Sequence, residues 1–195
     1  MNPEVGPASV GARRASPVQS RAVRRGITVG LGALVVALSA QVVVPVPFSP
    51  VPMTLQPLAV LAVGGLLGAA GGVSALLLYI VLGAVGLPVF AGGGSGMLHL
   101  VGPTGGYLLA FPIAAAVTGA LAGRVPRSPL QVLLACALGM VIIHAGGVAQ
   151  LALLGGDPAL AMRVGFVPFL TGDLLKVGLA AVLILAVGPR VRSLL

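Results

Sequence analysis

From Ile27 to Gly123 not one side chain carries a charge. A soluble domain covers itself with charged residues, about a quarter of its total. Here they make up 7% of 195 residues, against 58% hydrophobic, and the mean hydropathy is +1.15. Lipid is therefore the solvent this chain is built for. Prolines and glycines divide the apolar stretch into runs that approach the roughly 20 residues needed to cross a bilayer. The first run is Ile27 to Val44. The connector Pro45 to Pro52 has too many prolines for helix and reads as extended chain. A short second span covers about Thr54 to Leu67, Gly68 to Gly72 forms a break, and a third span continues to about Leu87. Pro88 to Gly106 is a loop long enough to hint at function. Further spans follow at Tyr107 to Leu121, with a kink expected at Pro112, then at Leu130 to Leu154 and Phe169 to Val187. The fold class this predicts is an all-α membrane protein, a compact bundle of about six transmembrane helices spanning residues 27–195.

The basic residues set the orientation. Arg13, Arg14, Arg21, Arg24 and Arg25 precede the first span, Arg124 and Arg127 lie between the fourth and fifth, and Arg190 and Arg192 follow the last. With the N-terminus inside, these nine of 11 basic residues are cytoplasmic, while the outer connectors carry only Arg163. Excess Lys and Arg mark cytoplasmic segments, so the predicted topology is N-in and C-in. The segment 1–26 then reads as a basic, disordered cytoplasmic tail along anionic headgroups. Arginines ahead of an apolar run ending in Ala37-Leu38-Ser39-Ala40 also fit a signal peptide. The apolar run continues through Val44 and more spans follow, which favours a retained helix. The net charge of +8 does not point to nucleic acid. Aromatic residues are only 4%, and the arginines punctuate spans instead of forming a readable patch.

Chemistry-bearing residues are few. The acidic residues are Glu4 in the tail, Asp157 ahead of Pro158 and Asp173. Asp157 reads as a helix cap or a solvated carboxylate. Asp173 and Lys176 stand at i and i+3 near the outer end of the last span, on one helical face. Charges inside a membrane usually have a partner and face a cavity. A self-neutralising pair among headgroups is the alternative. Thr54 and Gln56 enter the second span from the same side, to bond either a ligand or a neighbouring helix. Gly102-Pro103-Thr104-Gly105-Gly106-Tyr107 closes the long loop. Thr104 and Tyr107 offer hydroxyls, while Gly105 and Gly106 permit close approaches that a side chain would block. As a bare motif it also reads as a turn at the start of a helix. Ala33 and Ala37 form a small-xxx-small pair, for packing within the bundle or against a partner helix. Cys136 is the only cysteine and reads as a packing residue; His99 and His144 read by default as packed or water-bonded, with a ligand role as the alternative, more for His99 than for His144. No metal-ligand spacing and no GxxxxGK[ST] phosphate loop occurs, and no catalytic constellation is visible.

The order of these residues adds a resemblance. Gly102 to Phe111 (GPTGGYLLAF), Val46 to Leu61 (VPFSPVPMTLQPLAVL), Gly83 to Gly93 (GAVGLPVFAGG) and Gly172 to Lys176 (GDLLK) together resemble the biotin transporter BioY family. Members of that family are the substrate-capture (S) components of energy-coupling factor transporters. The resemblance implies a multi-pass protein of the cytoplasmic membrane that takes up biotin as substrate, with no cofactor of its own. The implied partners are a transmembrane coupling protein and a pair of ABC-type ATPases. In that family the Asp and Lys matching Asp173 and Lys176 contact biotin near the outer face, through a ureido group or a carboxylate. Thr54, Gln56, Thr104, Gly105 and Tyr107 are the further substrate-binding candidates. An Ala-x-x-x-Ala on the first helix docks the coupling protein, which the spacing of Ala33 and Ala37 matches. The rival functional classes are an intramembrane enzyme and a structural membrane protein.

Overall fold

In the computed structural model, residues 17–122 and 128–193 are described. Arg13, Arg14, Arg124 and Arg127 lie outside them. Helix α1 covers Pro17–Ser39 and α2 Gln56–Ala84. Two short helices follow, a 3₁₀ turn at Ala91–Gly93 and α3 at Leu98–Val101. Then come α4 (Gly105–Ala122), α5 (Pro129–Gly155), α6 (Pro158–Gly165), a 3₁₀ turn at Val167–Phe169, and α7 (Leu170–Ser193). Among the described residues, five helical stretches are long and apolar enough to cross a membrane.

The second of these is a hairpin. Its 29 residues are interrupted at Gly68, whose φ of 75° and ψ of 175° are non-helical. In a straight helix Gln56 and Tyr79 would stand about 35 Å apart at 1.5 Å per residue. Instead Gln56 Nε2 donates to Tyr79 Oη at 2.7 Å. Close to the reversal, a methyl on Gly72 would fall 2.9 Å from Gly64 Cα. The expected second and third spans are therefore the two arms of α2. The break is one residue wide, not five, and Gly71 and Gly72 are already helical. Gly119 of α4 fills the space beneath the turn; a methyl there would meet Ala69 N, Gly64 O and Gly68 C, all at 2.6 Å. Small residues let these backbones touch where hydrophobic burial gives no advantage over lipid. Gly68 itself has open space around it, but its dihedrals lie in a region that is essentially restricted to glycine. Gly68→Ala is thus expected to destabilise the bundle by about 1–3 kcal/mol through backbone strain alone. A fall in the thermal unfolding midpoint without altered helix content checks this.

Three other boundaries differ from expectation. Helix α1 begins at Pro17, so residues 17–26 of the predicted disordered tail are helical. That helix ends at Ser39, and Val43–Val44 pairs with Met53–Thr54 in a two-stranded antiparallel ladder. The proline-rich connector is the loop of that hairpin: prolines leave the ladder unpaired between its ends. Gly105 and Gly106 belong to the first turn of α4, which runs on through Pro112. Asp157 is the N-cap of α6, accepting from Ala159 N at 2.9 Å and Leu160 N at 3.0 Å. This satisfies two of the helix's orphan donors.

Candidate functional site

The start of α2, the loop after its second arm, the starts of α4 and α7, and the second half of α5 converge at one end of the bundle. The Gly68 turn lies at the other end. The converging segments enclose a cavity of about 200 Å³. Its walls are apolar: Val51 from the β-hairpin loop, Phe90 from the long loop, Leu108 and Phe111 from α4, Ile143 from α5 and Phe169 before α7. Thr54, Gln56, Thr104, Tyr107, Asp173 and Lys176 also line it, so six of the seven candidate substrate-binding residues meet in one place. Ala91 of the loop tip lines it too.

Gly105 does not line the cavity; it holds the wall. A methyl there would strike Leu100 O and lie 2.6 Å from Gln150 Nε2. Gln150 of α5 donates to Leu100 O at 3.1 Å and to Gly102 O at 2.6 Å, fastening the loop's end to the bundle. Tyr107 has a structural bond as well. Its hydroxyl donates to Gly165 O at 2.6 Å, tying α4 to the end of α6, so the ring is wall and only the acceptor side of the phenol remains for a solute. Gln56 bonds across the two arms of α2 to Tyr79, the interhelical alternative, while Thr54 Oγ1 donates to Gln56 Oε1 at 3.1 Å. One amide N–H of Gln56 remains for a solute.

The charged centre is compact. Lys176 Nζ donates to Asp173 Oδ1 at 2.9 Å, as the i,i+3 spacing predicted. The other oxygen, Oδ2, stands 2.6 Å from Nε2 of His144. Asp173, Lys176 and His144 are 6%, 6% and 7% exposed. A carboxylate only accepts, so Nε2 carries the proton in this contact and Nδ1 is left without a partner. His144 stands outside the candidate set because its default reading is a packed histidine in an apolar run. The usable signal was its rarity: an ionisable residue within a span is a site candidate by default. Tyr79, fully buried, was missed because a tyrosine in an apolar span gives no such signal. Lys176 uses one of its three N–H donors on Asp173, leaving two to meet a solute. An apolar chamber with cationic and amide donors at one side suits a small amphiphilic solute carrying an acceptor or anionic group.

Ala33 lies elsewhere. It is 3% exposed and packed in the chain's own core, with Ala37 half-buried beside it. The pair therefore seats α1 on the bundle, and the outward surface of α1 is formed by Leu31, Leu34, Val35 and Leu38.

Known proteins resemble this chain over most of its length. The family model described as the BioY family matches residues 12–193, reaching into the basic N-terminal segment. A probable biotin transporter BioY of Pyrococcus horikoshii is 39% identical over 156 residues, covering 80% of this chain and 92% of that protein. The biotin transporter BioY of Thermotoga maritima is 44% identical over 140 residues, covering 72% and 82%. The fold matches a crystal structure of the S-component for biotin from an ECF-type ABC transporter, with a TM-score of 0.79 over 89% of this chain and 93% of that one, at 24% identity. On the family match, supported by these relatives, the chain belongs to the BioY family.

Proposed function

We propose that this protein captures biotin from outside the cytoplasmic membrane, as the substrate-specific component of an energy-coupling factor transporter. The observation that carries the reading is the Asp173–Lys176 pair at the polar side of an otherwise apolar cavity, in a chain of this family. The apolar wall takes the thiophane ring and the aliphatic chain of biotin, and the amide and ammonium donors take its ureido or carboxylate oxygens. A coupling protein and ABC-type ATPases supply the drive, because the sequence has no phosphate loop of its own. The coupling protein docks along α1, where Ala37 borders the exposed apolar face.

Both termini are cytoplasmic in this reading, and the cavity opens outward. The basic residues support it, since in the sequence they cluster ahead of the first span, between α4 and α5 and at the end of α7. Purified protein in lipid nanodiscs is expected to bind radiolabelled biotin saturably, and failure to bind would overturn the assignment. Met97 is 63% exposed in the loop, and Cys136 is fully buried. In intact cells, Met97→Cys should therefore react with an impermeant maleimide added outside. Labelling only after lysis would reverse the topology.

A further inference from the structure

We propose that His144 is a positioning residue of the binding site, acting through Asp173 on Lys176. The inference rests on the biotin reading above. Asp173 is held from two sides: Oδ1 by Lys176 Nζ at 2.9 Å, and Oδ2 by His144 Nε2 at 2.6 Å. The first bond is local to α7, whereas the second comes from α5 and fixes the carboxylate relative to the rest of the cavity. Without it, Asp173 could rotate about its side-chain torsions and take the ammonium with it. With it, Lys176 is directed so that its two unused donors have a defined place.

The imidazole is itself held in place. Tyr107 and Phe166 meet it edge-on, with ring centroids at 6.0 and 5.0 Å, and Phe169 lies at 6.1 Å. Tyr107 is fixed in turn by its bond to Gly165 O and by contact with Gly147, where a methyl would overlap its ring. A chain of contacts thus runs from the α4–α5 packing through Tyr107, His144 and Asp173 to Lys176. A histidine kept only for packing would be expected to satisfy both nitrogens. Among the described residues, Nδ1 is the one buried side-chain nitrogen or oxygen without a hydrogen-bond partner. An orphaned buried polar atom calls for an explanation, and here the ring is oriented for its other nitrogen. His144 is also the one residue shared by the walls of the cavity and of a separate apolar groove of about 460 Å³ between α5 and α6. A flat ring both divides these spaces and delivers an N–H at its edge.

The test is a double-substitution cycle read by radiolabelled biotin binding in nanodiscs, the chain having no tryptophan to report. His144→Phe is expected to weaken binding about tenfold or more, the loss typical of a hydrogen bond to a charged group. Its thermal midpoint should fall only modestly, because Asp173 Oδ2 loses a donor while Lys176 still holds Oδ1 and the orphaned Nδ1 is removed. His144→Gln, which restores an amide donor, should recover binding to within about threefold. In an Asp173→Asn background, His144→Phe should add less than about threefold, since there is no carboxylate left to orient. Independent, multiplying losses would overturn the proposal. So would a His144→Gln variant that recovers the midpoint but not the affinity. Should His144→Phe not fold, His144→Leu completes the cycle on the same criteria. If the unaltered protein binds no biotin, the functional reading fails; if it binds and His144→Phe leaves affinity intact, only this inference does.

Discussion

Lys176→Met is expected to weaken biotin binding at least tenfold, and Asp173→Asn to do the same. Both side chains line the cavity, both are almost wholly buried, and they are bonded at 2.9 Å. Losing a hydrogen bond to a charged group costs about 1.5–3 kcal/mol, or tenfold to more than a hundredfold in affinity. Stability separates site from scaffold. Breaking a buried ion pair by removing one member leaves an uncompensated charge and costs about 3–5 kcal/mol, whereas removing both is often nearly neutral. The single variants should therefore melt early, and Asp173→Asn/Lys176→Met should regain much of the midpoint. Binding should stay lost in all three. Near-normal biotin affinity in the folded double variant would remove the pair from the substrate site.

Gly106→Ala is the second large effect. A methyl at Gly106 would run into the carbonyl oxygen of Gly146 on α5 and lie 2.7 Å from Gln150 Cβ. The contact is reciprocal, because a methyl at Gly146 would fall 2.6 Å from Gly106 O. Backbone cannot turn aside as a side chain can, so α4 and α5 must separate. Overpacking of this kind costs about 1–3 kcal/mol, and the upper end is expected here. The same shift would pull Gln150 from Leu100 O and Gly102 O, freeing the loop beside the cavity. Thermal midpoint and biotin affinity should fall together. Gly30→Ala is the control: with nothing within 4 Å of the added methyl, it should be neutral or stabilise by about 0.5–1 kcal/mol. Equal behaviour of the two variants would show that Gly106 is not a packing contact.

The sequence by itself determined the solvent, the helices and the pairing of Asp173 with Lys176. Each of these depends on near neighbours along the chain. Apolar run length decides what can cross a bilayer, Pro and Gly mark where runs end, and an i,i+3 spacing puts two side chains on one helical face. The GPTGGY stretch was legible as a special segment for the same reason. What it does was decided by tertiary structure: Gly105 and Gly106 are small because Leu100 O, Gly146 O and Gln150 lie against them. Distant pairs were likewise invisible. Gln56 finds Tyr79 only because one left-handed glycine folds α2 back on itself. Tyr107 spends its hydroxyl on a carbonyl 58 positions away, and His144 reaches Asp173 across 29. Ala33 turned inward because helix rotation about its own axis is set by the surface it packs on, which a run of apolar residues does not specify. Local spacing encodes what a helix can present; only the packed bundle chooses which of those faces meet.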